Sequence, residues 1–133
     1  MTANVKYAGY DDRMTTGTTG IDAHHYLAKD LDRARAFYRD LIGLRASPDA
    51  TWEHGTEFEL GDGSIFGIFK MPDDSWYPCG GVIFAVSDID AVAQRLRDAG
   101  VHFFTNGILG TPVCRIAWCQ DPEGNNFAIH QKK

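Results

Sequence analysis

The stretch that decides the fold is Asp30-Leu31-Asp32-Arg33-Ala34, because the chain repeats its pattern as Asp88-Ile89-Asp90-Ala91-Val92. Asp30 or Asp32 can cap a helix in the first copy and Ser87 or Asp88 in the second, and apolar residues follow at helical spacing. A glycine closes each helix, Gly43 in the first copy and Gly100 in the second. The two starts lie 58 positions apart (88 minus 30). A supersecondary unit that occurs twice is therefore predicted.

A turn and a strand repeat in the same way further along the chain. Residues 62–70 align with residues 123–131, a displacement of 61 positions (123 minus 62). Glycine in both turns favours tight connections, which makes the strands that they join antiparallel. A strand is also expected before each helix. The predicted fold class is α+β, with two tandem β-α-β-β-β units that form curved, mainly antiparallel sheets around a cleft.

Two further strands are predicted between the first helix and the first repeated turn. A short strand covers residues 44–47, Pro48-Asp49 turns the chain, and a half-buried strand covers residues 51–60. Glu57 and Glu59 share one face of that second strand. They are either a pair of functional carboxylates or part of a solvated face.

The composition argues against several classes of partner. A formal net charge of -5 and a sequence pI of about 5.4 disfavour nucleic acid, since phosphate binding needs a basic surface. No stretch approaches the roughly 20 apolar residues of a membrane-spanning helix, so no membrane partner is expected. The three cysteines, Cys79, Cys114 and Cys119, are sparse and odd in number. Free thiols in the cytoplasm are the simplest interpretation.

The chain of 133 residues suits one compact domain. Residues 1–19 are predicted to form a flexible N-terminal arm, and residues 20–133 a single domain. The two units span about 20–70 and 80–131, with a linker over 71–79. Each unit is small and has open sheet edges, so a homodimer that covers them is expected.

Two motifs, read together with the repeated unit, resemble the vicinal oxygen chelate superfamily. They are Ala36-Phe37-Tyr38-Arg39-Asp40-Leu41-Ile42-Gly43-Leu44 and Asp121-Pro122-Glu123-Gly124-Asn125. The superfamily contains glyoxalase I, extradiol dioxygenases, fosfomycin-resistance enzymes and bleomycin resistance proteins. The resemblance covers roughly residues 20–133. It implies a paired β-α-β-β-β fold and says little about the chemistry.

In metal-dependent members of the superfamily, the first strand of a unit supplies a His seven residues before the capping Asp, and the last strand supplies a Glu. The resemblance places these four ligand positions at Ala23, Gly67, Gly81 and Ala128. None of these side chains can coordinate a metal, so no cofactor is expected. Bleomycin-resistance-type proteins likewise hold a ligand in the cleft without a metal. The small residues either enlarge that pocket or let the strands pack closely.

Two histidines lie near the ligand positions. His25 follows Ala23 by two residues and His130 follows Ala128 by two, so each shares a strand face with a ligand position. They are candidate catalytic residues, either as an acid–base pair or in a rebuilt divalent-metal site, and candidate walls of a ligand pocket. His24 lies on the opposite face and is expected under a helix.

The predicted ligand pocket combines the ligand positions, the two histidines and nearby aromatic and acidic side chains. Its members are Ala23, His25, Trp52, Glu59, Gly67, Phe69, Gly81, Ala128 and His130. Aromatic walls suit a planar organic ligand, although aromatic residues also fill ordinary cores.

The sequence therefore favours a protein that binds a small organic molecule without a metal. One alternative is a lyase or isomerase-type enzyme that uses His25 and His130. Another is a structural or regulatory module whose cleft is filled by its own side chains.

Overall fold

The computed structural model describes residues 22–133, so the arm predicted over residues 1–19 lies outside the described part. Each unit contains a helix and a small sheet. The first unit comprises β1 (His24–Leu27), α1 (Leu31–Ala36) with a π-helical turn (Phe37–Leu41) at its end, β2 (Arg45–Trp52), β3 (Gly55–Glu59) and β4 (Ile65–Phe69). The second comprises β5 (Val82–Ala85), α2 (Ile89–Asp98), β6 (His102–Phe103), β7 (Leu109–Gly110), β8 (Cys114–Gln120) and β9 (Asn126–Lys132).

The two sheets have matching topology. The first has strand order β1-β4-β3-β2 and the second β5-β9-β8-β6, with β7 beside β8. In each sheet the first strand of the unit is parallel to the last, and the other pairs are antiparallel. His25 pairs with Gly67, and Ile83 pairs with Ala128. The displacements, 58 (83 minus 25) and 61 (128 minus 67), are those of the sequence repeat. The predicted fold class is confirmed.

Both helices begin at the predicted caps. The Asp30 carboxylate accepts a hydrogen bond from the Arg33 N–H at 3.0 Å, and the Asp88 carboxylate accepts one from the Ala91 N–H at 3.1 Å. These bonds satisfy N–H groups that the first turn of a helix leaves unpaired. No helix between residues 22 and 133 is long and apolar enough to cross a membrane.

One hydrophobic core serves both units. Tyr38, at the end of the first helix, is fully buried, and its ring lies 4.8 Å from Phe66 of the first unit and 6.4 Å from Phe84 of the second. Phe37 meets Phe127 at 5.8 Å. The helices and the helix-facing side chains of both sheets form this cluster. We call the opposite side of each sheet its open face.

The strand prediction was wrong at Pro48-Asp49, and β7 is a further strand that was not predicted. The chain does not turn at Pro48-Asp49; β2 continues through them to Trp52, and the turn occupies Glu53 and His54. A register shift between Ala46 and Thr51 accommodates the proline. Because β2 is the edge strand of its sheet, a bulge there leaves no inner ladder broken by the missing N–H of proline.

Candidate functional site

A histidine–carboxylate pair lies on the open face of the first sheet. Strand register places His25, Gly67 and Glu57 side by side on β1, β4 and β3. The distance from His25 Nε2 to Glu57 Oε2 is 2.8 Å, and the two side chains are 32% and 30% exposed. A Cβ on Gly67 would lie 2.6 Å from His25 Nε2. The imidazole therefore rests on the glycine, and a larger residue at this position would displace it.

Aromatic rings adjoin this pair. The rings of His25 and Phe69 meet edge to face with centroids 5.9 Å apart. Gly55 pairs with Phe69 on one side and Trp52 on the other. A Cβ on Gly55 would lie 2.7 Å from Phe69 Cβ and 2.8 Å from the Trp52 ring, so both residues close over the glycine. Trp52 remains 43% exposed. We call Trp52, Phe69, His25 and Glu57 the aromatic platform.

The open face of the second sheet is more apolar. Ala128 lies between Ile83 and Trp118, the positions equivalent to His25 and Glu57. His130 lies between Ala85 and Ile116, where the first sheet has Phe69. Ala128 is fully buried, whereas Ile83 is half exposed. The two units thus present different chemistry on equivalent faces: a polar pair in the first and aliphatic and indole groups in the second.

The structure brings only part of the predicted pocket together. His25, Trp52, Gly67 and Phe69 form one contiguous group, and Glu59 lies on the same strand face but is exposed. The remaining members are distributed elsewhere: Ala23 precedes β1 and is half-buried, Gly81 precedes β5, and Ala128 and His130 lie in the second sheet.

One expectation about the histidines, the position of His24 under a helix, needs correction. His25 and His130 lie in different sheets, and the hydrogen-bond partner of His25 is Glu57. Glu57 was not among the predicted pocket residues, although its alternation with Glu59 placed it on the relevant face. His24 is exposed and not under a helix, because it stands at the start of β1, where it lines a cavity between the units.

The residues at the superfamily's ligand positions do not fit a metal ion. The alanine and glycine side chains offer no donor atoms, and the space above Gly67 is occupied by the His25 ring. Within residues 22–133, no three His, Cys, Asp or Glu side chains are grouped closely enough to hold a metal. A site of three converging ligands, which metal catalysis needs, is thus not built from these positions.

A buried polar network joins the two units at one end of their contact. The Tyr26 hydroxyl donates to the Asn126 carbonyl at 2.7 Å and accepts from the Val82 N–H at 2.8 Å. Burial raises the pKa of Tyr26 to about 12. The Asn125 amide donates to the Leu27 carbonyl at 2.9 Å. The phenol and the amide thus connect β1 to the second unit.

Two carboxylates complete this network, which we call the polar junction. Glu123 accepts from the Lys29 N–H at 2.7 Å and from Arg33 Nη2 at 2.8 Å. Asp121 accepts from the Tyr38 hydroxyl at 2.7 Å. Burial raises the pKa of Asp121 and raises that of Tyr38 well above its ordinary value. The motif Asp121–Asn125 therefore links the two units through hydrogen bonds.

At the other end of the contact the units line an open cavity of about 430 Å³. It lies between the turn that joins β3 to β4 and the strand β5, and we call it the junction cavity. Gly81 stands at its edge with a φ of +100°, and no atom lies within 4 Å of where its Cβ would be. Of the four superfamily ligand positions, Gly81 is the one that borders this cavity.

Comparisons with known proteins agree with the architecture. The family model for the Glyoxalase/Bleomycin resistance protein/Dioxygenase superfamily matches residues 20–129. No curated protein sequence matches the chain.

Solved structures with the same fold include an antibiotic-binding protein, TnmS3 from Streptomyces sp. CB03234, with a TM-score of 0.71 and 23% identity over 90% of this chain and 100% of that one. A lactoylglutathione lyase from Agrobacterium tumefaciens has a TM-score of 0.67 and 19% identity over 87% and 96% of the two chains. A glyoxalase/bleomycin resistance protein from Albidiferax ferrireducens T118 has a TM-score of 0.69 and 18% identity over 85% and 98%. At these identities the likeness concerns the fold alone.

Proposed function

Because the chain belongs to the Glyoxalase/Bleomycin resistance protein/Dioxygenase superfamily, we propose that it is a small-molecule-binding protein that holds a planar organic compound on the aromatic platform without a metal. The observation that carries this proposal is the platform itself. Trp52 and Phe69 close over Gly55, and His25 closes over Gly67, so three ring systems share one side of the sheet.

Exposed rings on a sheet face favour a flat ligand. Trp52 keeps 43% of its surface accessible, and stacking a planar compound on it would bury apolar area on both partners. The adjacent histidine–glutamate pair supplies a polar anchor. With Nε2 bonded to the Glu57 carboxylate, Nδ1 is the ring nitrogen left to bond a ligand. Ligand pockets combine apolar walls with a few such polar groups.

The fold comparison supports binding, since TnmS3 is an antibiotic-binding protein with the same fold. The proposal includes a homodimer. Ile83 is 50% exposed and Leu109 45% exposed on the open face of the second sheet, and Phe104 is 48% exposed nearby. A second copy that covers these side chains would remove apolar surface from water.

Tryptophan fluorescence tests the binding proposal directly. The protein would be titrated with a neutral, a cationic and an anionic fused-ring compound. We expect saturable quenching by at least one of them, with binding at least tenfold weaker in Trp52→Phe. The matched control is Trp76→Phe, because Trp76 packs beneath Lys29 near Gly124, away from the platform.

Equal affinities of wild type and Trp52→Phe for every quenching compound would contradict binding at the platform. Quenching lost in Trp76→Phe and kept in Trp52→Phe would place the ligand elsewhere.

The histidine–glutamate pair also favours a second candidate function, a lyase or isomerase-type reaction. A carboxylate that orients an exposed imidazole is the arrangement of a general base, and His25 with Glu57 has it at 2.8 Å. Such a base would remove a proton next to a carbonyl group. The second histidine of the original candidate pair, His130, lies in the other sheet.

Deuterium exchange distinguishes this candidate from simple binding. Carbonyl compounds would be incubated with the protein in D₂O and followed by NMR. Base catalysis predicts exchange at the carbon next to the carbonyl, reduced at least a hundredfold in His25→Gln and less strongly in Glu57→Gln. Exchange that persists in His25→Gln would exclude His25 as the base.

A further inference from the structure

The internal repeat relates the polar junction to the junction cavity. Adding 58 to a position in β1 gives its equivalent in β5, and subtracting 61 from a position in β9 gives its equivalent in β4. Tyr26 corresponds in this way to Phe84 (26 plus 58), and both pair with an isoleucine of the last strand of their unit. Phenylalanine has no hydroxyl, so the bridge that Tyr26 makes has no counterpart at the second position.

The backbone groups that this bridge joins also have equivalents in the cavity wall. Val82, whose N–H donates to Tyr26, corresponds to His24 (82 minus 58). Asn126, whose carbonyl accepts from Tyr26, corresponds to Ile65 (126 minus 61). Both His24 and Ile65 line the junction cavity. By the internal repeat, the cavity therefore occupies the position that corresponds to the Tyr26 hydroxyl at the other end of the contact.

The amide of the polar junction is missing in the same way. Asn125 corresponds to Ser64 (125 minus 61), and its acceptor, the Leu27 carbonyl, corresponds to that of Ala85 (27 plus 58). Ser64 and Ala85 both line the cavity. The Ser64 side chain is too short to reach the Ala85 carbonyl, and its hydroxyl donates instead to the Asp62 carboxylate at 2.5 Å. Two polar groups that tie the units at one end are thus replaced by space at the other.

We propose that the junction cavity is a second ligand site, distinct from the aromatic platform, for a small aromatic molecule that carries a phenol hydroxyl or a carboxamide. Phe66, Phe84 and Val82 form apolar walls, and such walls suit an aromatic body. A hydroxyl and an amide are the groups that occupy the equivalent end. A volume of about 430 Å³ lies within the range of small-molecule sites.

The probe is 4-hydroxybenzamide, which carries both groups, and the matched apolar probe is toluene. Backbone amide shifts would be followed by NMR in a titration of the whole chain. We expect saturable shifts at Ser64, Val82 and Phe84, and at least tenfold weaker binding of toluene. Phe84→Tyr places a hydroxyl where Tyr26 has one, so it should weaken 4-hydroxybenzamide at least tenfold.

Two variants serve as controls. Phe104→Tyr makes the same chemical change on an exposed ring outside the cavity and should bind as wild type does. Ser64→Asn supplies the missing amide from the other wall and should weaken binding even if Phe84→Tyr folds poorly. Trp52→Phe should have no effect, which separates this site from the proposed function.

Three outcomes would overturn the proposal. Absence of saturable shifts would show that the probe does not bind. The cavity would then be empty, or filled by a part of this chain or by a second copy. Equal binding of toluene would remove the role of the polar groups. Unchanged affinity in folded Phe84→Tyr and Ser64→Asn would place the probe elsewhere.

Discussion

At the scale of single residues, His25 owes its position to the absence of a side chain at Gly67. The sequence placed both residues near the superfamily's metal site and left open whether small residues there create space or allow close packing. At Gly67 close packing prevails, because the His25 ring lies where a Cβ would be. At Gly81 the small residue leaves open space, since no atom lies within 4 Å of where its Cβ would be. The same kind of residue therefore has opposite consequences in the two units.

Asp121 is a buried carboxylic acid whose ionisation should affect stability between neutral and acidic pH. Burial, the largest cause, raises its pKa above the ordinary value of 3.8, although Tyr38, Glu123 N–H and Asn125 N–H donate to its carboxylate. The folded protein then binds a proton at pH values where the unfolded chain does not. Stability contributed by Asp121 is therefore lowest at neutral pH and rises as the pH falls through the raised folded pKa toward 3.8.

Urea unfolding of wild type and Asp121→Asn across this pH range measures the effect. We expect the free energy of unfolding of wild type to rise relative to that of Asp121→Asn as the pH falls from about 7 to about 4. The difference between the two proteins cancels the titration of all other carboxylates. A relative decrease would mean that the donors around Asp121 stabilise its ionised form more than burial disfavours it.

At the scale of elements, two glycines of neighbouring strands differ in the atoms that an added Cβ would contact. A Cβ added to Gly55 in β3 would lie 2.7 Å from the Phe69 Cβ and 2.9 Å from the Ile68 carbonyl oxygen, and the β4 backbone holds both atoms in place. Gly67 in β4 faces the far end of the His25 side chain. A ring can rotate away, whereas a strand cannot shift without disturbing its ladder.

Alanine substitutions should separate these two cases. We expect Gly55→Ala to cost about 1–3 kcal/mol in the free energy of unfolding. Gly67→Ala should stay within about 0.5 kcal/mol of wild type while breaking the bond between His25 and Glu57, seen as changed imidazole ¹⁵N shifts. Gly61→Ala is the control, since no atom lies within 4 Å of its added Cβ. Equal losses in Gly55→Ala and Gly67→Ala would disprove the mobile-ring account.

The elements themselves were largely predictable. Asp30 and Asp88 cap their helices as expected, because a cap is a contact between residues three apart and the sequence shows it directly. The course of β2 was not predictable, since Pro48 usually breaks a strand. Its place at the sheet edge permits the bulge, and edge position is a property of the assembled sheet.

At the scale of the whole molecule, the internal repeat gives two sheets of matching topology. The contact between the two units has two chemically different ends. The polar junction carries a buried tyrosine, an amide and two carboxylates. The opposite end has Phe84 where Tyr26 would be and contains a cavity instead. The open faces differ as well, with the His25–Glu57 pair on one and Ile83 with Trp118 on the other. The two ligand sites that we propose are therefore chemically distinct.

The sequence by itself determined the two-unit fold, the helix caps and the glycine turns, because each of these depends on residue type and on spacing along the chain. The resemblance to the superfamily added that the residues at its four metal-ligand positions cannot bind a metal. Only the tertiary structure decided that His25 bonds to Glu57, 32 residues away, while His130 belongs to the other sheet. It also decided which end of the contact between the units carries the polar junction and which end contains the junction cavity. The physical reason is that these features depend on strand register and on side chains meeting across the shared core, neither of which is fixed by local spacing.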